Sequence, residues 1–369
     1  MNRILTLKLL LAAVLAMLTS TSAMAKTVQV GTCQPGLQSY STISQAVSAV
    51  PSGSTILVCP GTYPEQVTIT QPLTLQGVQS GNSGNPTITV PAGGLIQSVT
   101  SPVNGVTIYF QILVQGTEAE LVNISNLGVN GSNNLVSCTC WIAGIYYQNS
   151  SGKVKNAATY NQMGNGYGFG MFVDSSSTTP KTIGISTSSI HDFDAEAIRN
   201  NGNASITVDI KGNTILVSPS STYQINGIDV YGVGSITDNS IAAKPGLAAV
   251  GNGIGIATES GVTVSNNTIA GILVGIWPLI NSNTVTSNRI SFATTGIILT
   301  GADNNVEYNF IQSGGIIGGT GIDFNCTGTG NTVINNSIND ADWGLLNLGG
   351  TNTVAPNSYA NVANLSGGC

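Results

Sequence analysis

The densest group of ionisable residues in the chain lies in one short segment, residues 191–199. It reads His191-Asp192-Phe193-Asp194-Ala195-Glu196-Ala197-Ile198-Arg199. If the segment is extended, Asp192, Asp194 and Glu196 lie on one face, because successive side chains of a strand alternate. Three hard oxygen donors on one face predict a Ca²⁺ site, the only cofactor the sequence indicates. His191, Asp194 and Arg199 then become candidate catalytic residues that act as acid or base, or that bind an acidic substrate.

A simpler interpretation of residues 191–199 stays open beside this one. Exposed turns normally carry charged residues, and the segment is then a solvated turn between two strands. The sequence alone does not decide between a site and a turn.

Composition restricts the class of protein that positions these residues. Only 26 of 369 residues are charged, 7%, against roughly 25% in typical soluble proteins, whereas glycine numbers 46 and apolar residues make up 41%. We therefore expect a folded, turn-rich, mostly β protein. The chain has 10 basic and 16 acidic residues, so we expect no nucleic-acid partner. Its single histidine excludes a metal site that needs two imidazoles.

The first 25 residues predict a secretory signal peptide. Arg3 and Lys8 precede the apolar run 9–18, and a small-residue cleavage site follows at 23–25. The run is too short to span a membrane. We expect a secreted or periplasmic protein without a membrane span, whose folded domain is residues 26–369.

Six cysteines lie in the predicted mature part, which fits an oxidising compartment. The sequence does not determine their pairing. We expect Cys33 to pair with Cys59 and Cys326 with Cys369, because each bond would fix one end of the chain. Cys138 and Cys140 are separated by one residue, so a bond between them would be strained, and whether they pair stays open.

A short repeat predicts the architecture. From residue 185 an aliphatic residue, two variable residues, Asn, one variable residue and Ile recur every 21 to 28 residues, which is typical of a solenoid. Val, Ile and Thr alternate with small polar residues, which favours strands stacked about 4.8 Å apart. The repeated Asn is expected at a corner, in left-handed backbone, with its amide bonded to the next Asn. These anchor positions are Ser188, Asn213, Asn239, Asn267, Asn288, Asn309 and Asn336.

The N-terminal part predicts a cap for the solenoid. Thr42 and Gln45 have capping-box spacing, Ile43 and Val47 lie on one helical face, and Pro51 ends the helix. We expect residues 26–77 to form the cap and first coil, and residues 347–369 a second cap.

Residues 52–69, SGSTILVCPGTYPEQVTI, with LTLQG at 73–77, resemble the opening coil of the right-handed parallel β-helix, or pectin-lyase-like, superfamily. Residues 122–129, VNISNLGV, resemble its inner coils. The resemblance implies an all-β, single-stranded right-handed parallel β-helix with a short N-terminal capping helix. This superfamily contains polysaccharide lyases, glycoside hydrolases, esterases, epimerases and non-catalytic adhesins, so the resemblance does not fix an activity.

No catalytic subfamily matches. Residues 61–65 are similar to the G-x-Y-x-E of pectin methylesterases, but the later segments with their aspartates and arginine have no counterpart. Glu65 is therefore expected to be a local turn residue. The Asn-Thr-Asp, Asp-Asp, Gly-His-Gly and Arg-Ile-Lys segments of polygalacturonases and the Asp-His strand of pectate lyases are also missing.

A second repeat, Gly or Ala followed by Ile or Leu, predicts a row of outward side chains two positions further along each coil. Its expected members are Tyr146, Phe172, Arg199, Asp229, Gly255, Trp277, Ile298, Asp323 and Leu346. Aromatic rings beside charges suit a sugar chain. We take Tyr146, Phe172, Tyr231 and Trp277 as candidate substrate-binding residues, and Asp229 as a further candidate catalytic residue. The longest intervals between the two repeats, 215–228 and 241–254, lie close to these positions.

Two functions follow from these observations. The first is a monomeric exported protein that binds, and cleaves as a lyase or glycosidase, an extracellular or cell-wall polysaccharide or a cell-surface glycan. The alternative is a non-catalytic adhesive or structural rod, which the low charge favours.

Overall fold

A computed structural model describes residues 24–79, 85–116, 121–202, 205–218, 224–244, 253–259, 261–313 and 319–369. Residues 1–23 of the predicted signal peptide lie outside the described residues, as do parts of the intervals 215–228 and 241–254. In the described ranges no helix is long and apolar enough to cross a membrane.

The helix α1 is Ile43–Ala49. Thr42 is its N-cap, and its hydroxyl oxygen accepts the Gln45 N–H at 3.1 Å. Ile43, Ala46 and Val47 are buried, which is the face the sequence predicts. Glu65 is not a local turn residue, because its carboxylate accepts the backbone N–H groups of Ile43 (2.8 Å) and Ser44 (2.9 Å). It stabilises the free N–H groups of the first helical turn from another coil.

Strands follow one another closely along the described chain. The first half contains β1 (Thr27–Val30), β2 (Ser39–Tyr40), β3 (Ser54–Val58), β4 (Thr62–Pro64), β5 (Val67–Ile69), β6 (Leu73–Gly77), β7 (Thr87–Thr89), β8 (Ser98–Thr100), β9 (Thr107–Gln115), β10 (Val122–Ser125), β11 (Gly128–Asn130), β12 (Trp141–Gln148), β13 (Gly152–Lys155), β14 (Ala158–Gln162), β15 (Gly168–Ser175), β16 (Lys181–Ser186), β17 (Ser189–Phe193) and β18 (Glu196–Gly202).

The second half contains β19 (Ile206–Lys211), β20 (Thr214–Val217), β21 (Ile225–Val230), β22 (Val233–Thr237), β23 (Ser240–Ala243), β24 (Gly253–Thr258), β25 (Val262–Ser265), β26 (Thr268–Pro278), β27 (Thr284–Thr286), β28 (Arg289–Ile298), β29 (Asn305–Glu307), β30 (Phe310–Ser313), β31 (Thr320–Asp323), β32 (Thr332–Ile334), β33 (Ser337–Asn339), β34 (Trp343–Leu348), β35 (Ser358–Ala360) and β36 (Asn364–Gly368).

These strands stack in three parallel columns, so that each coil of the chain contributes once to each face. Face 1 is the sheet β2-β1-β3-β6-β10-β13-β16-β19-β22-β25-β27-β29-β32. Face 2 runs through β11, β14, β17, β20 and β23, and face 3 through β9, β12, β15, β18, β21 and β24. The long strands β26 and β28 pass from face 2 to face 3. The architecture is a parallel β-helix.

One apolar core fills the inside of the coils. On face 1 an inward column of aliphatic side chains continues from coil to coil, each paired with the next: Ile185, Ile210, Ile236, Val264, Val285, Val306 and Val333. All are buried. Full burial of one such side chain stabilises the fold by roughly 1.5–3 kcal/mol. The repeating aliphatic positions of the sequence are therefore the core.

The predicted asparagine ladder is confirmed. The Nδ2 of Asn267 donates to Oδ1 of Asn288 at 3.0 Å, and Asn239 Nδ2 donates to Asn267 Oδ1 at 2.9 Å. The ladder runs from Asn213 to Asn357, with Ser188 at its N-terminal end. A second ladder, which the repeat did not predict, joins Asn283, Asn304, Asn331 and Asn352.

The left-handed backbone at this corner belongs to the residue before each ladder asparagine, which corrects the prediction. The angle φ is 57° or 58° at five of these residues: Asp238, Asn266, Ser287, Tyr308 and Asn335. It is 65° at Gly212. The ladder asparagine itself keeps ordinary backbone, so that its side chain points inward and can bond to the next coil.

The predicted disulfides are present. Cys33 is bonded to Cys59, and Cys326 to Cys369. Cys138 and Cys140 are bonded to each other. The first bond lies in the opening coils, and the second attaches the end of the chain, after β36, to the turn after β31.

Candidate functional site

The outward row on face 3, predicted from the second repeat, is confirmed by the strand register except at one coil. Tyr146 pairs with Phe172, Phe172 with Arg199, and Arg199 with Asp229. Asp229 then pairs with Ala257, not Gly255, and Ala257 pairs with Trp277. The inward residue of that coil is Ile256, because Gly255 rather than Gly253 is the repeat glycine.

Two further rows flank this one, and together they bring ionisable residues from four coils together. One flanking row contains Phe169, Glu196 and Asn226, and the other contains Asp174 and Asn201. We call Asp174, Glu196, Arg199, Asp229, Tyr231 and Glu259 the ionisable cluster, because each influences the charge of another. Coils on either side place Phe169, Phe172, Ala257 and Trp277 next to it.

Arg199 lies at the centre of the ionisable cluster. Its Nη1 lies 2.7 Å from Glu196 Oε1 and 3.8 Å from Asp229 Oδ2. Its guanidinium carbon lies over the rings of Tyr231 (4.9 Å) and Trp141 (5.4 Å). Stacking of this kind favours a planar, weakly hydrated cation, so arginine is better suited here than lysine.

Glu196 and Asp229 form a carboxyl pair beside Arg199. Glu196 is 7% exposed and Asp229 3%. Burial, followed by the nearby charge of Asp229, holds the pKa of Glu196 well above its usual range. Burial also raises the pKa of Asp229 to about 6. The two carboxyl groups share Arg199 as their charged neighbour, so the titration of each depends on the other.

Several polar atoms of the ionisable cluster are buried without a hydrogen-bond partner in the described structure. They are Asp174 Oδ1, Glu196 Oε2, Arg199 Nε and Asp229 Oδ1. Arg199 Nε remains available to a ligand oxygen or a water molecule, since buried donors are rarely left unpaired.

Asp174 is the third carboxyl group of the ionisable cluster and is fully buried. Its Oδ2 accepts hydrogen bonds from Ser101 Oγ at 2.5 Å and from the Tyr146 hydroxyl at 3.2 Å. Burial raises the pKa of Asp174 to about 6, although these two hydrogen bonds and the charge of Arg199 oppose the shift. Glu259 is more exposed, and partial burial raises its pKa.

The structure does not bring the predicted calcium ligands together, which corrects that expectation. Asp192 has left-handed backbone (φ 54°) and pairs with Lys244 Nζ at 2.6 Å. Asp194 binds backbone N–H groups, and Glu196 pairs with Arg199. Among the described residues no group of three or more His, Cys, Asp or Glu side chains can hold a metal ion. The side chains of residues 191–199 do not alternate regularly between two faces, because the segment bends at Asp192 and again between β17 and β18.

Asp194, a predicted catalytic residue, binds the glycine-rich turn before β15. Its Oδ2 accepts the N–H groups of Gly164 (2.8 Å) and Gly166 (3.0 Å), and its Oδ1 accepts that of Gly168 (2.7 Å). The carboxylate is buried and points away from open solvent. Its geometry is that of an anion that organises a loop.

His191 lies on face 2, apart from the ionisable cluster. Its ring stacks on Tyr160 with centroids 5.2 Å apart, and its Nδ1 lies 2.8 Å from Asp192 Oδ2. The predicted grouping of His191 with Arg199 and Asp229 in one catalytic centre is therefore wrong, because the two strands belong to different faces.

The candidate substrate-binding residues divide into two groups. Tyr146 and Phe172 are both 0% exposed, so a ligand on the surface cannot contact them, and this prediction is corrected. They pack with Phe110, Phe169 and Trp141 in a second apolar cluster outside the coil core. Tyr231 and Trp277 are partly exposed beside the ionisable cluster.

Three residues of this site, Trp141, Asp174 and Glu259, were missed from the sequence. Asp174 and Glu259 lie two residues after Phe172 and Ala257, so the period of two along each strand carried the signal. Trp141 begins β12, and only the register with β9 and β15 shows that it lies beside Phe172 and Arg199.

Comparison with known proteins supports the fold. A family model described as periplasmic copper-binding protein (NosD) matches residues 234–367, about a third of the chain. No curated protein sequence matches. A solved structure titled as a PL6 alginate lyase in complex with a trisaccharide has TM-score 0.57 and 14% identity, and covers 93% of this chain and 87% of that chain.

Two other solved structures are less similar. A DFA-IIIase from Arthrobacter chlorophenolicus A6, without its lid, has TM-score 0.48 and 16% identity over 92% of each chain. The A-module of a mannuronan C-5 epimerase from Azotobacter vinelandii has TM-score 0.41 and 12% identity, and covers 88% of this chain and 90% of that chain.

The residues of this chain do not fit a copper site in the matched region. Copper in proteins is bound mainly by His, Cys and Met. Residues 234–367 contain no His or Met, and their one cysteine, Cys326, is in a disulfide. We therefore derive no chemistry from copper. The comparisons therefore show the fold alone: the chain is a parallel β-helix, similar in architecture to the structure titled as a PL6 alginate lyase.

Proposed function

We propose that the protein is an exported glycan-binding β-helix that hydrolyses glycosidic bonds at the ionisable cluster. The observation that carries this proposal is the buried carboxyl pair Glu196 and Asp229, which lie 2.7 Å and 3.8 Å from Arg199 Nη1, and burial holds the pKa of Glu196 well above its usual range. A glycosidase needs such a proton donor beside the leaving oxygen. Trp141, Tyr231 and Trp277 lie next to the pair and offer rings on which sugars stack.

The proposed chemistry assigns one role to each group. Glu196 gives its proton to the glycosidic oxygen as the bond to the anomeric carbon breaks, and Asp229 and Arg199 stabilise the resulting carboxylate. The attacking water gives its proton to solvent. Glu259 is not the base, because it lies two coils and five positions along the strands from Glu196, roughly 19 Å by strand geometry, which is outside the range of an inverting pair.

Hydrolysis fits this site better than elimination. A lyase needs a base that is already deprotonated to remove a proton from the sugar ring. In the ionisable cluster the only cation described, Arg199, is paired with Glu196, and burial holds the pKa of Glu196 well above its usual range. The site is therefore arranged to donate a proton first.

Export and capping belong to the same proposal. The signal sequence at residues 1–25 and three disulfides support an oxidising location. The helix α1 covers apolar residues of the opening coils, as a cap would. Right-handed winding, a single folded domain over 26–369 and a monomeric state complete the proposal.

A non-catalytic rod remains the second candidate because of one observation on face 1. Its outward side chains in the C-terminal half are small and polar, and follow one another in register: Ser235, Thr263, Thr284, Asn305 and Thr332. A flat row of hydroxyl and amide groups can contact a polymer or a surface without any chemistry.

The test is incubation of the purified mature protein with a panel of acidic and neutral polysaccharides, with and without Ca²⁺. We expect new reducing ends without products that absorb in the ultraviolet. Glu196→Gln should lower the rate at least about 100-fold, since it removes the proton donor. Asp209→Asn, an exposed carboxylate on face 1, is the matched control and should leave the rate unchanged.

Three other results would contradict hydrolysis. Ultraviolet-absorbing ends would indicate a lyase, retention on a polymer without products would favour the rod, and an unchanged rate in Glu196→Gln would exclude this carboxyl group as the proton donor. The melting temperature of each variant shows whether it is folded.

A further inference from the structure

The outward row is fully buried on the N-terminal side of Arg199, whereas on the C-terminal side Asp229 (3% exposed) and Ala257 (2%) are followed by the partly exposed Trp277. Phe172, one coil before Arg199, and Tyr146, two coils before it, are fully buried. Their rings pack together with centroids 5.1 Å apart. Asp229, Ala257 and Trp277 continue the row in the opposite direction.

A hairpin covers the buried part of the row. β8 and β9 form the only antiparallel pair among the described strands, joined through the turn 101–106. Val99 of this hairpin packs against the second apolar cluster, which contains Tyr146, Phe169 and Phe172. We call residues 98–107 the wall.

The wall is attached to the coils by polar contacts at several points. Ser101 Oγ donates to the buried carboxyl of Asp174 at 2.5 Å. Gln148 Nε2 donates to the Thr100 carbonyl at 2.8 Å. Directly before the wall, Gln66 Nε2 donates to the Gln97 carbonyl at 3.0 Å. Because these partners are buried side chains of three different coils, the wall is part of the fold.

The wall lies beside the coils that precede the ionisable cluster. Asp174, which anchors the wall, lies on the coil directly before Arg199 and pairs in register with Asn201, two positions beyond Arg199. Trp141 lies at the boundary, with its ring against Phe169 (5.1 Å) and Phe172 (5.5 Å) and under Arg199. Partly exposed positions of the row resume at Trp277, on the side of the ionisable cluster away from the wall.

We propose that the wall makes this protein an exo-acting enzyme, which releases short units from the end of a glycan chain. The proposal rests on the proposed function, since it uses the same proton donor. A chain end stacks on Trp141 against the wall, and the rest of the chain lies over Asp229, Tyr231 and Trp277. Internal bonds of a long polymer cannot reach Glu196, because the wall blocks the part of the chain beyond the bond.

The test is the product pattern of the wild-type protein on any polysaccharide of the panel that it cleaves. We follow reducing ends, solution viscosity and product length by chromatography from the first per cent of reaction. Exo action predicts short products from the start and nearly constant viscosity. Products of many intermediate lengths with an early fall in viscosity would overturn the wall proposal and leave the proposed function intact.

Two variants test which residues are responsible. Replacing residues 99–106 by two glycines should open the row and give products of intermediate length. Trp141→Ala keeps the wall and should lower kcat/KM about tenfold with short products retained, since one stacking contact contributes about 1 kcal/mol. If either folded variant keeps both the wild-type rate and the wild-type products, the proposal is wrong.

Failure of the proposed function is distinguishable from failure of the wall. If folded wild-type protein releases no reducing ends from any glycan of the panel, the hydrolase is excluded and the exo proposal with it. If it cleaves long polymers and linear oligosaccharides blocked at either end at equal rates, only the exo proposal is excluded.

Discussion

At the scale of single residues, the site is a compromise between burial and charge. Three carboxyl groups and one guanidinium out of water would cost several kcal/mol if all stayed ionised and unpaired. A proton held by Glu196 leaves the pair Glu196 and Asp229 with a single negative charge, which Arg199 balances. The same compromise provides the proton that the proposed chemistry requires.

The Asp174 carboxyl group predicts a pH dependence of stability. Its pKa is raised to about 6 in the folded state, against 3.8 for the ordinary group. A raised pKa means that the folded state holds the proton more tightly than the unfolded state. The contribution of Asp174 to the unfolding free energy is therefore present at low pH and is lost as the pH rises through 6. The shift corresponds to about 3 kcal/mol.

Asp174→Asn should therefore reduce the fall in unfolding free energy between pH 5 and pH 8 by about 1.4 kcal/mol, because the amide oxygen still accepts from Ser101 and Tyr146 without titrating. Denaturant titrations at both pH values measure this change. Asp303→Asn, a carboxylate with left-handed backbone on a turn, is the comparison and should leave the fall as it is in the wild type. An equal fall in Asp174→Asn and wild type would contradict the assignment.

The sequence identified the right segment but assigned its residues the wrong partners. Arg199 and Asp229 were expected in one row, and they are neighbours. The role of Asp194 could not be predicted, since its three partners are backbone N–H groups of a loop some 30 residues earlier. Glu196 gained its partner only through the register of β18 with β21.

At the scale of elements, the corner of each coil combines a left-handed residue with a ladder asparagine. Asn267 illustrates the hydrogen bonds that one such amide makes. It donates to Asn288 and to the Ile236 carbonyl, and it accepts from the backbone and side chain of Asn239. Each ladder member therefore joins three coils.

Asn267→Ala should lower the unfolding free energy by about 2–4 kcal/mol, because it leaves buried donors and acceptors of two neighbouring coils without partners. Thermal and chemical unfolding measure the loss. Asn364→Ala removes an exposed amide that donates to the Asp342 carbonyl at 3.2 Å, and should change stability by less than about 0.5 kcal/mol. Similar losses in both variants would show that ladder position does not matter.

Elements were predicted well where a residue type repeats and poorly where only register matters. The first ladder and the helix α1 followed from spacing and side-chain chemistry. The second ladder begins only at Asn283, so fewer copies of it were available in the sequence. The wall hairpin is a single insertion without a repeat, and the buried state of Tyr146 and Phe172 depends on it.

At the scale of the whole molecule, the coils contact only their neighbours, so the ends are the weakest places of the stack. The bond between Cys326 and Cys369 closes 43 residues and fixes β36 to an earlier coil. In the chain-entropy view such a bond stabilises the folded state by about 4 kcal/mol, and it acts mainly on the last coils.

Cys326→Ser with Cys369→Ser should speed hydrogen exchange in β34, β35 and β36 and leave β15, β18 and β21 as they are in the wild type. Exchange followed by mass spectrometry distinguishes these segments. The pair Cys138→Ser and Cys140→Ser is the control, since that bond lies far from the C-terminal coil. Faster exchange throughout the chain would mean that the stack unfolds as one unit.

The two asparagine ladders have a consequence for how the length of this molecule can change. From Asn267 to Asn309, and from Asn283 to Asn304, one step of either ladder is 21 residues. Removing residues 284–304 would bring Asn305 into the place of Thr284, its present neighbour in register, and Val306 into that of Val285. The rod would then be about 4.8 Å shorter with every contact type conserved. The length of the rod can therefore change only in steps of one coil. Duplication or loss of whole coils can lengthen or shorten it without disturbing the coils that contain the ionisable cluster.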